Sequence, residues 1–471
     1  MKKSDLTVGM PPTPDISAED VQRARAGGAR QLVVLDDDPT GTQSVAELPV
    51  LNSWEEEDLR WALETEAPAV YVMTNSRSLP PEQAAERNRE VVRASLAAAR
   101  ALGREVDFVS RGDSTLRGHY PLEPATIIET LAEADIAIDG VILLPAFGDA
   151  GRITVGGIHY AGNDADGFVP VGETEFARDA TFGYKSSDLR EWVEEKTAGA
   201  IAAADVALID LTTLRSDPEK TAAILAGLSN GQPAAADIVE EADIRALSLA
   251  LLAVQKQGKR FVYRVGPPFV RAMIGQPVVE PLTAEDVSSI RSEESVNGGL
   301  IVVGSHVALT TRQLNNLRER RTPREFVIEV TKVLSDECDA HLDEIVANVA
   351  EALREGNAVV STSRTLVKGV DGEDSLRIAR EVSDAVVAVV RKVLDIAPPR
   401  FVIAKGGITS SDVASRGLEI GRAIVRGPML PGIVSLWEPI MGPAQGIPYI
   451  VFAGNVGNDQ SLADVVDKLS Q

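Results

Sequence analysis

The sequence predicts an α/β protein of two domains, each built on a mostly parallel sheet. Three observations lead there. Short apolar, β-rich runs alternate with helix-like stretches along the chain. At 471 residues the chain is longer than one ordinary core accommodates. A Pro-rich, then polar, passage interrupts the alternation between Pro267 and Gly299.

Residues 1–28, with Pro11-Pro12, Pro14 and a short Ala/Arg-rich stretch, lack the apolar core of a signal peptide and read as an N-terminal extension. Strand candidates follow at Leu32–Leu35, Ala69–Met73, Val106–Val109 and Val141–Leu144. Helix-like stretches occupy 82–102, 123–133, 187–203 and 238–258, and Phe261–Val265 is a further strand. The passage from Pro267-Pro268 through Pro277, Pro281 and Ser292-Glu293-Glu294 to Asn297-Gly298-Gly299 reads as a linker. A boundary near 285 makes 29–285 the first domain and 286–471 the second.

The second domain restarts with the strand Leu300–Val303 and a helix from Thr310 to Arg320. Ala358–Ser361 is a strand before a helix at 375–395, and Phe401–Ala404 and Ile447–Phe452 are two more. Pro448 implies that the last strand begins there or lies at an edge.

Composition narrows the partners. Acidic residues number 70 against 47 basic ones, a net charge of -23, which disfavours nucleic acid or an anionic membrane surface. An anionic substrate then needs a local basic pocket, for which arginine is the suited residue. The single cysteine, Cys338, excludes an internal disulfide and a cysteine-built zinc site. No run approaches the ~18 apolar residues of a membrane span, and the expected location is the cytoplasm.

Each of the first four strand candidates is followed by a polar cluster. They are Asp36-Asp37-Asp38-Pro39-Thr40-Gly41, Thr74-Asn75-Ser76-Arg77-Ser78, Ser110-Arg111-Gly112-Asp113-Ser114-Thr115-Leu116-Arg117-Gly118 and Pro145-Ala146-Phe147-Gly148-Asp149-Ala150-Gly151-Arg152. Ligands of open α/β sheets bind outside the carboxyl ends of the strands, so these clusters are expected to converge on one site. Arg111, Arg117 and Arg77 offer planar charged forks suited to a carboxylate, and Asp37, Asp38 and Asp113 can accept hydrogen bonds from sugar hydroxyls. That pattern describes a polyhydroxy acid. The plainer alternatives are a solvated turn at the aspartates and structural ion pairs of Arg111 and Arg117 with Asp113 or Asp107.

In the second domain, Gly304-Ser305, Gly406-Gly407-Ile408-Thr409-Ser410 and Gly454-Asn455-Val456-Gly457 all stand at strand-to-helix junctions. Glycine lets backbone N–H groups approach an anion closely, and the hydroxyls of Ser305 and Thr409 add donors. Each junction alone is a turn with a helix cap; three in one domain fit a nucleotide phosphate site. Neither a P-loop nor a G-x-G-x-x-G fingerprint is present. The histidines His119, His159, His306 and His341 lack metal-site spacing, while His119 and His159 lie near enough to the clusters to line a pocket. Gly151–Tyr160 reads as a flap over the substrate or as a plain hairpin.

At these residues the chain resembles the four-carbon acid sugar kinase family, over nearly its whole length after residue ~30. The resemblance rests on Asp37-Asp38-Pro39-Thr40-Gly41, Arg111 through Gly118, Pro145-Ala146-Phe147 with Gly151-Arg152, Gly406-Gly407-Ile408-Thr409 and Gly454-Asn455-Val456-Gly457. It implies an N-terminal acid-sugar-binding domain, a C-terminal nucleotide-binding domain and transfer in the cleft between them. It implies ATP on Ser305, on Gly406, Gly407, Ile408 and Thr409, and on Gly454 with Asn455. It implies threonate, erythronate or 3-oxo-tetronate on Asp37 and Asp38 as the catalytic pair, with Arg77, Arg111, Asp113, Ser114, Thr115, Arg117 and Arg152 as binding residues. Pro39 and Thr42-Gln43, the extra Asp36, and Val456 in place of a common aromatic residue depart from the family pattern.

The expected activity is therefore ATP-dependent phosphorylation of a sugar-acid hydroxyl. Mg²⁺ is expected from the chemistry of bridging β- and γ-phosphate oxygens, although no ligand set for it is readable. A homodimer is the expected assembly, from the commonness of two-fold symmetry. Two rivals stand beside this reading: a non-catalytic sugar-acid sensor or effector-type protein on the same fold, and an NAD-linked oxidoreductase, which the missing G-x-G-x-x-G disfavours.

Overall fold

The computed structural model describes residues 1–291, 296–363 and 372–471, with side chains from Arg377 onward in the last span. Two compact units emerge. The first comprises Met1–Gly41 and Trp54–Val278, the second Thr42–Ser53 and Val279–Gln471. Ser292-Glu293-Glu294 of the expected linker lie outside the described residues. The stretch just before them holds a helix, Ala284–Ile290, because Thr283 caps it by accepting the Asp286 N–H.

In the first unit the strands lie in the order Ala69–Met73, Gln31–Asp36, Val106–Arg111, Phe261–Val265, Gly140–Leu144, Gln232–Ala236 and Ala207–Ile209, all parallel. Their Val/Leu-rich runs are buried almost end to end, as strands covered on both faces must be. The covering helix Pro81–Ala101 opens with a proline at its first turn and buries Ala84, Asn88, Val91, Val92, Ser95, Ala98 and Ala99, one helical face. The chain leaves Gln31–Asp36 for one neighbouring strand and returns to Val106–Arg111 on the other side. That reversal opens a crevice beyond the carboxyl ends of these two strands, where Asp36 and Arg111 sit in register.

The expected helix at 187–203 is shorter, Leu189–Lys196, because it starts at an Asp188 cap and ends before Ala198, which takes a positive φ. Gly151–Tyr160 is a hairpin, part of a three-stranded antiparallel sheet of Arg152–Val155, Ile158–Asn163 and Gly167–Pro170. Its apolar face is anchored by Ile153, Val155, Tyr160 and Phe168.

The second unit runs Arg324–Ile328, Ala358–Thr362, Leu300–Val303, Val402–Lys405 and Tyr449–Phe452 in parallel. It continues through the antiparallel strands Ile433–Pro439 and Arg422–Leu430 to Leu48–Leu51. The last strand starts after Pro448 and is paired on both sides, so of the two options it is the strand start that holds. Residues 42–53 join this unit through Leu48–Leu51 and through Thr42, whose hydroxyl lies 2.9 Å from the Ser435 hydroxyl and accepts the Trp437 indole N–H at 2.9 Å. Here the reversal of strand order falls between Leu300–Val303 and Val402–Lys405, the strands that carry Gly304-Ser305 and Gly406-Gly407.

Candidate active site

The carboxyl ends of the first sheet bring the first three polar clusters together. Arg77 grips Asp37 with two hydrogen bonds, Nη2 to Oδ1 at 2.6 Å and Nε to Oδ2 at 3.1 Å, and reaches Asp38 Oδ2 at 3.4 Å. Arg111, 3% exposed, pairs with Asp36, lies 3.6 Å from Asp37 Oδ1 and donates to the Asp38 carbonyl. Asp38 also accepts the Thr40 backbone N–H at 2.9 Å. The aspartate turn is therefore held by two arginines, and the Arg111 ion pair is with Asp36 and Asp37 rather than with Asp113 or Asp107.

These contacts separate the three carboxylates. Burial raises the Asp36 carboxyl to about 7, against the pull of Arg111 and with the help of Asp37. Burial acts the same way on Asp38, but Arg77, Arg111 and the Thr40 hydrogen bonds outweigh it and hold Asp38 below the usual carboxylate range. Asp36 is fully buried and Asp37 3% exposed, whereas the Asp38 side chain keeps 20% of its surface open.

The next loop holds a second charged group. Asp113 accepts the Arg117 Nε–H at 2.7 Å and the Thr115 hydroxyl. Arg77 and Arg117 press its carboxyl well below its ordinary range despite burial. Arg117 and Arg152 lie over the same Phe176 ring, at 5.3 and 5.6 Å. Arg117 approaches Asp179 only to 3.9 Å, and Arg152 forms no ion pair among the described residues. Arg117 thus faces two carboxylates, Asp113 and Asp179, while Arg152 beside it is the guanidinium with no carboxylate of its own among the described residues and is suited to an anion. Ser114 and Thr115 are fixed through their backbone: the Ser114 carbonyl lies 2.8 Å from His159 Nε2 and the Thr115 carbonyl accepts the Tyr184 hydroxyl at 2.7 Å. Burial drives the His159 imidazole down to about 4, so it is neutral at pH 7 and serves as a support. His119 lies 3.0 Å from the Leu79 carbonyl through Nε2.

Sequence reasoning missed Arg264 and Glu123. Arg264 Nη1 donates to Glu123 Oε2 at 2.6 Å and to the Ser110 hydroxyl at 2.9 Å, and Glu123 takes the Ser76 hydroxyl. A Cβ at Gly112 would stand 2.5 Å from the Arg264 guanidinium carbon, and one at Gly118 2.8 Å from its Nη2. The two glycines bracketing Asp113–Arg117 were the available signal: they mark a close approach, and what approaches is Arg264. A cavity of about 570 Å³ also opens in this unit, lined by residues including Lys3, Asp149, Gly151, Asp164, Glu240 and Arg271. It includes none of Asp36–Asp38, Arg77, Arg111, Arg117 and Arg152.

In the second unit the three glycine junctions meet. A Cβ on Gly304 would lie 1.9 Å from Thr409 Oγ1, one on Gly454 2.3 Å from Ser305 Oγ, and one on Gly406 3.2 Å from Thr409 Oγ1 and 3.3 Å from Ser305 N. Gly406 has φ +129°, which glycine adopts without strain. Thr310 braces the junctions, its hydroxyl lying 3.0 Å from both Ser305 Oγ and the Gly454 carbonyl oxygen. Ile408 is 65% exposed on the first turn after the glycine pair, and Asn455 is exposed beside Gly454. The Gly304 and Ser305 amides go to the Lys405 carbonyl and the Gly406 amide to the Phe452 carbonyl, so glycine here serves close approach, and the hydroxyls of Ser305 and Thr409 come together as groups suited to phosphate oxygens.

Among the described residues no group of three or more His, Cys, Asp or Glu side chains is placed to hold a metal ion, and no helix is long and apolar enough to cross a membrane. Asp37 and Asp38 are already engaged by Arg77 and Arg111.

Residues 32–273 match the family described as a sugar-binding N-terminal domain, and residues 300–462 the one described as a nucleotide-binding C-terminal domain. The chain is similar to a D-erythronate kinase of Heliobacterium modesticaldum, with 24% identity over 421 residues that cover 85% of this chain and 87% of that one. It is also similar to a 3-oxo-tetronate kinase of Methylobacterium radiotolerans, with 26% identity over 355 residues, 74% of this chain and 78% of that one. Two solved structures share the fold, each covering 92% of this chain and 98% of its own: a Haemophilus influenzae protein at 16% identity and TM-score 0.60, and a Salmonella typhimurium LT2 protein at 17% and 0.65.

Proposed function

The chain belongs to the four-carbon acid sugar kinase family, and from that premise we propose that it transfers the γ-phosphoryl group of ATP to a hydroxyl of threonate, erythronate or a 3-oxo-tetronate. The observation that carries the reading is the pair of complementary half-sites in one chain. The first unit has an arginine-rich anion site beside a carboxylate turn, and the second has three glycine junctions crowded around Ser305 and Thr409. A sugar-acid sensor without catalysis is not favoured, because relatives matching most of the chain are kinases by name.

In this reading Arg117 and Arg152 hold the substrate carboxylate, with Ser114 and Thr115 alongside. Asp38, the most open of the three aspartates, accepts the hydrogen bond of the reacting hydroxyl. Its depressed pKa suits orientation of that hydroxyl more than removal of its proton, and positioning is the larger part of phosphoryl-transfer catalysis. Asp37, gripped by Arg77, keeps the turn in register. Gly407, Gly454 and Asn455 offer backbone amides to the nucleotide phosphates, Ser305 and Thr409 offer hydroxyls, Gly304 and Gly406, whose own N–H groups go to the Lys405 and Phe452 carbonyls, let the junctions approach one another, and the exposed Ile408 borders the loop. In the transfer, the bond from the γ-phosphorus to the β-bridging oxygen breaks, a bond to the substrate oxygen forms, and the hydroxyl proton is released. Mg²⁺ would be brought by the nucleotide and would supply neutralisation of the phosphate charge. Release of ADP that depends on both ATP and one of these acids tests the proposal.

A further inference from the structure

One buried charge has no part in the scheme above. Lys405 ends the strand Val402–Lys405 and is fully buried. Its Nζ donates to the Ala453 carbonyl at 2.8 Å and stands 3.7 Å above the centre of the Phe452 ring. No carboxylate pairs with it among the described residues, an expensive way to place an ammonium group in a protein interior. Its position explains why it is there. Val303, Lys405 and Phe452 share one register row across three neighbouring strands, so the three glycine junctions all begin beside it. Its carbonyl accepts the N–H groups of Gly304 at 3.2 Å and Ser305 at 3.1 Å, its own chain continues into Gly406, and its side chain holds the residue before Gly454.

We propose that Lys405 is a positioning residue of the nucleotide site, fixing the Ala453–Gly454 turn through its ammonium and giving the three junctions a positive charge that no described carboxylate cancels. The inference rests on the nucleotide reading of these junctions. Burial alone lowers the Lys405 pKa to about 7, with no contribution from a charged neighbour. The titratable groups on the elements around it are engaged elsewhere: Tyr449 donates to the Ser410 carbonyl, His306 lies 3.4 Å from the Thr362 hydroxyl, and Asp412 takes the Ser383 hydroxyl. A phosphate bound at the junctions stabilises the ammonium form, so binding takes up a proton and weakens as pH rises through 7 to 9.

The test is calorimetric titration of ADP with Mg²⁺ into the full chain between pH 6.5 and 9. Lys405→Met removes the charge, and Lys405→Arg keeps a charge that does not titrate. The expected result is proton uptake by the unaltered protein at pH 8, read from binding enthalpies in two buffers of different ionisation heat. Lys405→Met should bind about tenfold more weakly at pH 6.5, the difference closing toward pH 9, and Lys405→Arg should restore affinity without the pH slope. The nucleotide's own titration is common to all three proteins. ADP binding without proton uptake, or a Lys405→Met loss equal at every pH, overturns the role of Lys405 and leaves the nucleotide site standing. Failure of the unaltered protein to bind ADP at any pH overturns both.

Discussion

The guanidinium of Arg77 covers both oxygens of Asp37, at 2.6 and 3.1 Å, and joins two strand ends that are 40 residues apart in sequence. A planar fork meeting a planar carboxylate fixes direction as well as distance, which a lysine cannot do. Arg77→Lys and Arg77→Ala are therefore both expected to lower kcat for phosphoryl transfer by about 10²-fold, the scale of a misplaced reacting group. Steady-state kinetics with both substrates varied checks this, and Arg77→Lys at near-normal kcat would show that charge alone suffices.

Arg111 is a different case, since it is buried and committed to the turn. Arg111→Ala leaves Asp36 without its guanidinium partner and is expected to destabilise the first unit by about 3–5 kcal/mol, the cost of breaking a buried pair. Urea unfolding measures it. ADP binding by the second unit should persist.

Asp36 gives stability a pH slope of known sign. Its folded carboxyl titrates near 7, raised from the ordinary value, so between about 4 and 7 the folded state binds more protons than the unfolded state. The contribution of this group is present below about 4 and is lost as pH rises through 7. Asp36→Asn should flatten that part of the stability profile, read from urea midpoints at pH 5 and pH 8.

The placement of Arg117 and Arg152 over one Phe176 ring predicts a substrate-specific defect. Arg117→Ala and Arg152→Ala should raise KM for the acid by about 10- to 100-fold, the range for a hydrogen bond to a charged group, with KM for ATP unchanged. Equal effects on both substrates would place the acid elsewhere in the first unit.

The glycine junctions predict the converse. Gly304→Ala puts a Cβ 1.9 Å from Thr409 Oγ1, and Gly454→Ala one 2.3 Å from Ser305 Oγ, so either change should weaken ADP binding before it affects the acid. Calorimetry with each ligand separates the two.

Much of this was legible in the sequence because buried parallel strands write themselves as apolar runs: Ala69–Met73 and Phe261–Val265 appear with the bounds their composition marks. Strands with weaker signatures escaped. Gln232–Ala236 is mostly alanine, Arg324–Ile328 has an exposed, charged start, and Arg422–Leu430 is broken by Gly427 and Pro428 at a bulge. The passage of residues 42–53 into the second unit has no local signal at all, since it depends on Thr42 finding Ser435 and Trp437 nearly 400 residues away. The polar clusters announced a site, but division of labour among the arginines did not, because Arg111 and Arg117 differ only in what the fold places around them. Arg264 was hidden inside an apolar run and Lys405 stood between one and a glycine pair, where one charged residue looks incidental until its surroundings are seen.

The most direct test of the central claim is a coupled ADP-release assay with ATP and Mg²⁺ against D- and L-threonate, D- and L-erythronate, the 3-oxo-tetronates and longer aldonates. The account predicts ADP release with a four-carbon acid and much less with the longer ones, lowered about 10- to 100-fold by Arg117→Ala at subsaturating acid. Silence across every four-carbon acid, from a protein that binds neither ADP nor any of the acids by calorimetry, would contradict it.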